Sequence, residues 1–140
     1  MGSTNYIGAF IQVAEDCPVG TAEQPPAGGK APTVAALQHE FISTHPYEFT
    51  SDDVLFQVYA LRQSVSAEAR PAAREAFFGK DQACLRSSPL GKRYGWGIHH
   101  DAQGRVALVP LGSDEYRRLS SDPAVKQLKA MRSKRAPSRT

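Results

Sequence analysis

Apolar and polar positions alternate over residues 5–14, NYIGAFIQVA. Ile7, Ala9, Ile11 and Val13 fall on one side of an extended chain, and Tyr6, Gly8, Phe10 and Gln12 on the other. A period of two predicts a β-strand. Apolar groups on both sides make it a central strand, covered on both faces, and Pro18 stops the ladder. After the aperiodic stretch 18–32, PVGTAEQPPAGGKAP, the period lengthens to that of a helix. Over 33–44, Thr33 stands as the N-cap, Val34, Leu37 and Phe41 form a stripe, and His45-Pro46 ends the element. Residues 50–62, TSDDVLFQVYALR, are rich in β-formers, but Thr50 or Ser51 followed by Asp52 and Asp53 is a helix start. A helix there places Val54, Leu55, Val58, Tyr59 and Leu61 on one face. A third helix spans 70–78, opened by Pro71 and closed by Gly79.

The next stretch, Cys84 to Asp101, CLRSSPLGKRYGWGIHHD, reads as a loop feeding a β-hairpin. Ser87 to Gly91 carry loop chemistry, strand pairing starts near Arg93, and Gly104 suits the left-handed position of the turn. Residues 105–109 return as the partner strand. Two more helices are predicted, DEYRRLS after Ser113 and AVKQLKAMR after Asp122-Pro123, the second with Val125, Leu128 and Met131 on one face. Three strands and four or five helices that do not alternate as βαβ units predict an α+β domain, with a small antiparallel sheet packed by helices. One domain fills 1–132, and 133–140 form a basic, disordered tail.

The totals restrict the function classes. An apolar content of 41% is ordinary for a globular protein. No apolar run approaches the ~18 residues of a membrane span, so no membrane partner is expected. The first residues lack a basic region followed by an apolar run, which predicts a cytoplasmic protein. Two cysteines, Cys17 and Cys84, make no disulfide framework and are expected to be reduced. The formal charge is +3, and six cations at or beyond Lys126, with no acid among them, leave residues 1–125 at −3. The tail could offer weak, non-specific attraction to nucleic acid through counterion release, but it lacks interleaved aromatics and reads first as a solvated end.

Candidate chemistry concentrates in 84–101. Alternation puts Tyr94, Trp96, Ile98 and His100 on one face of the strand, and Gly95, Gly97, His99 and Asp101 on the other. The glycines predict either a flat-floored pocket with His99 at its edge or close packing of a helix. Arg86, Ser88, Lys92 and Arg93 supply donors for a phosphate or carboxylate, and Tyr94 and Trp96 supply rings for stacking. That set points to a small anionic or nucleotide-like ligand. The competing role for these cations is pairing with the acids of the body. Nucleophilic catalysis by Cys84, or by Cys17, with His99 as base is a second reading; a cysteine serves more often as a small buried hydrophobe. Metal-ligand spacings are absent, and His99 and His100 point to opposite faces, so no metal is expected. No phosphate-binding glycine loop is present, and no cofactor is implied.

FIQVAEDCP at 10–18, HPYEFTSDDVLF at 45–56, FFGKDQACLRSSPLGKRYGWGIHHD at 77–101 and KAMRSKRA at 129–136 resemble an uncharacterised family of small, mostly bacterial proteins known by a domain-of-unknown-function label. The resemblance spans nearly the whole chain. It implies a stand-alone cytoplasmic protein of this size and brings no activity, ligand or catalytic residue with it.

Overall fold

The computed structural model describes residues 3–27 and 32–133. They form an α+β fold of four strands and five α-helices: β1 (Ala9–Gln12), α1 (Val34–Thr44), α2 (Ser51–Arg62), α3 (Arg70–Phe78), α4 (Pro89–Arg93), β2 (Trp96–His100), β3 (Val106–Pro110), α5 (Asp114–Ser120) and β4 (Lys126–Lys129). The strand order is β3-β2-β1-β4, with β1 antiparallel to β2 and parallel to β4. The sheet is thus mixed and has one strand more than expected. No helix among the described residues is long and apolar enough to cross a membrane.

β1 is central, as its two apolar sides require: Phe10 and Ile11 point to opposite faces and are both buried. Ile11, Ile98 and Val106 meet Ala35 and Ile42 of α1, Val54 of α2 and Leu90 of α4 on one face. Phe10 and Val109 meet Tyr116 and Leu119 of α5 on the other. Capping sets the helix starts. Thr33 accepts from the Ala36 amide, and Thr50 with Asp53 forms a capping box. The buried sides differ from the predicted stripes. α1 buries Ala35, Gln38 and Ile42, while α2 buries Ser51, Val54, Phe56, Val58 and Ala60 and leaves Tyr59 and Leu61 exposed.

Two local expectations are corrected. Residues 124–132 do not form a helix. Asp122 accepts from the Ala124 amide, as a cap would, but the chain then runs extended beside β1, pairing Ile11 with Leu128. Leu128 is half-buried in an otherwise exposed edge strand and Ala130, just beyond it, is buried, a spacing of two that suits an extended chain as well as the Val125, Leu128 and Met131 spacing suits a helix. Ser87–Gly91 is likewise not a loop. Ser88 caps α4, Pro89 occupies the first helical turn, and the strand starts at Trp96 rather than Arg93. Residues 134–140, most of the predicted tail, lie outside the described residues.

Candidate functional site

The predicted site residues separate into three groups. Cys84 lies with Tyr6, whose hydroxyl is 3.3 Å from its Sγ. The Tyr6 ring meets His100 edge-on at 5.4 Å. Burial raises the Tyr6 pKa, the bond to Cys84 adds to the rise, and Arg86 opposes it. His99 faces the other way. Its Nδ1 is 2.9 Å from the Tyr47 hydroxyl, and its cross-strand neighbour on β1 is Phe10, which packs on α5. Cys84 and His99 therefore lie against opposite faces of the sheet, and the thiol faces a phenol rather than an imidazole. Cys17, half-buried, packs at the edge of the α1–α2 core, and both cysteines are free thiols.

The glycine floor is filled. A Cβ on Gly97 would lie 2.6 Å from the Phe10 ring and 2.9 Å from Tyr116. At Gly95, where φ is +79°, it would lie 2.7 Å from the Thr21 carbonyl oxygen. Gly97 thus admits the Phe10 and Tyr116 rings and Gly95 the 18–27 segment, so packed groups occupy the space above them. His100 is fully buried, and neither ring nitrogen has a hydrogen-bond partner among the described residues. Burial holds its pKa down to about 4, against a smaller opposing pull from the Ile98 backbone.

Three of the predicted ligand donors are engaged elsewhere. Arg86 Nε donates to the Lys129 carbonyl at 2.7 Å, and Ser88 Oγ donates to Gln38 Oε1 at 2.5 Å in the interior. Trp96 Nε1 donates to the Glu23 carbonyl at 2.8 Å, while its ring packs on His39. The Glu23 amide in turn donates to the Tyr94 carbonyl at 2.8 Å. Residues 18–27, the described part of the Pro/Gly-rich segment before α1, are therefore a strap laid across the start of β2.

Lys92, Arg93 and Tyr94 remain. With Pro89 they form one wall of a cavity of about 320 Å³; Thr33, Val34 and Ala35 form the opposite wall, and Pro26 of the strap closes the side. Lys92 is half-buried and Arg93 exposed, and neither forms an ion pair among the described residues. The positive end of the α1 dipole adds to their field, and no acidic residue in the first turn of α1 offsets it. Of the acids expected to neutralise these cations, Asp52 holds Thr4, Asp16 accepts from the Ser133 amide, Asp53 pairs with Arg74, and Glu15 pairs with Lys129 and Arg132; neither they nor Glu48 pair with Lys92 or Arg93 among the described residues. No group of three potential metal ligands occurs among the described residues.

The family model of DUF6157, a family of unknown function, matches residues 1–136. The chain belongs to that family. No curated protein and no solved structure matches it. In this DUF6157 chain the wall from Thr33 to Ala35 had no signal in the sequence beyond its helix cap. The strap did, through its length and its prolines.

Proposed function

We propose that the chain is a binding protein for a small anionic ligand, held between the start of α1 and the end of α4. The reading rests on one observation: Lys92 and Arg93 line a cavity with no carboxylate among the described residues to neutralise them. Tyr94 adds a phenol that can donate to an anionic oxygen or lie against a ring. A volume of about 320 Å³ is at the small end of the ~300–1,000 Å³ typical of small-molecule sites. That favours a compact phosphate or carboxylate over a dinucleotide. Trp96, Arg86 and Ser88 position the walls through their bonds to the strap, β4 and α1. Two free thiols accord with a reducing bacterial cytoplasm, where we place the protein.

Calorimetric titration with inorganic phosphate, citrate and AMP tests the proposal. At least one should bind saturably, more weakly as salt rises. Its affinity should fall about tenfold or more in Lys92→Gln/Arg93→Gln, the loss expected for hydrogen bonds to charged groups. Absence of saturable binding by all three, or equal binding by the double variant, would refute the assignment.

A further inference from the structure

A second cavity, of about 450 Å³, opens between α2 and α3, away from α4 and the strap. Its walls are largely aromatic. Phe41 and Phe49 stand 4.8 Å apart between ring centroids at a 30° tilt, and Phe56 shares the lining. Two guanidinium groups from α3 reach its rim, and they are not equivalent. Arg74 bonds Asp53 at 2.9 Å and lies over the Phe56 and Phe78 rings, so its charge is already matched. Arg70 donates to Gln57 Oε1 at 2.9 Å, an uncharged acceptor, and forms no ion pair among the described residues. The lining thus carries one uncompensated positive charge on a half-buried guanidinium with donors to spare.

We infer that this cavity is a second binding site, for a small molecule with a flat aromatic body and a single carboxylate. The rings supply the surface on which an aromatic body stacks, and Arg70 supplies the planar fork that matches a carboxylate. Asp53 sets the charge of the ligand. A monoanion neutralises the lining, whereas a phosphate dianion would place surplus charge beside that carboxylate. α3 itself is lightly held. None of its residues is buried, and it rests on the Arg70–Gln57 and Arg74–Asp53 bonds and on Phe77 against Phe56 and Tyr59. A ligand bridging the Phe41–Phe49 wall and Arg70 would therefore tie α3 to the body.

The test uses 2-naphthoate, titrated into the full chain and followed by its own fluorescence and by hydrogen exchange. One equivalent should bind and slow exchange of the α3 amides. 2-Naphthamide, with the same rings and no charge, should bind about tenfold more weakly or worse, as should 2-naphthoate to Arg70→Gln. Lys92→Gln/Arg93→Gln should bind 2-naphthoate like the wild type, which separates this cavity from the α1–α4 cleft. Should Arg70→Gln prove less stable than the wild type, the naphthoate–naphthamide ratio on the wild type decides. No saturation up to millimolar naphthoate, equal binding of the two probes, or loss of binding in the Lys92/Arg93 variant would each overturn the inference.

Discussion

His99 and His100 are neighbours in one strand and live in opposite worlds. His99 keeps part of its surface in water, holds the Tyr47 hydroxyl, and has Asp101, Glu115 and Arg118 within electrostatic reach. His100 has no exposed surface and, among the described residues, no partner for either nitrogen. The same contrast runs along β2, where Gly97 gives its space to the Phe10 and Tyr116 rings while Ile98 fills the core under α1 and α2. A strand's side chains take their chemistry from what packs on each face, and the α1–α2 face of this sheet has no room for a charge.

Acid should expose that difference most strongly. Unfolded His100 takes up a proton near pH 6.5, whereas the folded side chain resists until about 4. Between those values only the unfolded chain gains the proton, so stability is intact above the upper value and falls as pH drops toward the lower. The loss attributable to this one group should reach about 3 kcal/mol. Burial lowers the pKa of His99 as well, so it adds a contribution of the same sign. Denaturant unfolding of the wild type and of His100→Leu, compared from pH 7 to pH 4, isolates the buried ring. The variant should change little at pH 7, where two unsatisfied nitrogens are removed, and should lose most of the slope. Parallel pH profiles would show that His100 is not the sensitive group.

On the other face, Gly97→Ala should cost about 2 kcal/mol by overpacking Phe10 and Tyr116. A denaturation midpoint unchanged from the wild type would mean that the face of α5 yields where it is drawn as tight. The smallest effect should come from Tyr47→Phe, which removes the bond to His99 from a half-exposed pair. About 1 kcal/mol or less is expected, read in the same unfolding curves. A larger loss would make the His99 face as demanding as its opposite.

The helices at 34–44, 51–62 and 70–78 were legible because their starts carry cap or proline signals that act within one turn. β4 was not, because its few apolar residues suit two periods, and the deciding influence, the unpaired edge of β1, is more than a hundred residues away. The candidate site was half legible. Charge and aromatic density marked 84–96 as able to bind an anion. Which donors stay free depends on remote partners: the Lys129 carbonyl for Arg86, Gln38 for Ser88 and Glu23 for Trp96. The aromatic cavity under α3 went unseen because Phe41 belonged to a predicted helix stripe, while Phe49 and Phe56 fell outside every predicted face.

The pairing of β1 with β4 also has a consequence for how the protein is made. Ala9 leaves a ribosome more than a hundred residues before its partner Lys126. At synthesis rates of about 5–20 residues per second, the interval between them is on the order of ten seconds. Throughout that time one edge of β1, with Phe10 and Ile11 beside it, has no strand to bond. The newborn chain must therefore keep an unpaired, apolar edge from other chains until Lys126 to Lys129 have emerged.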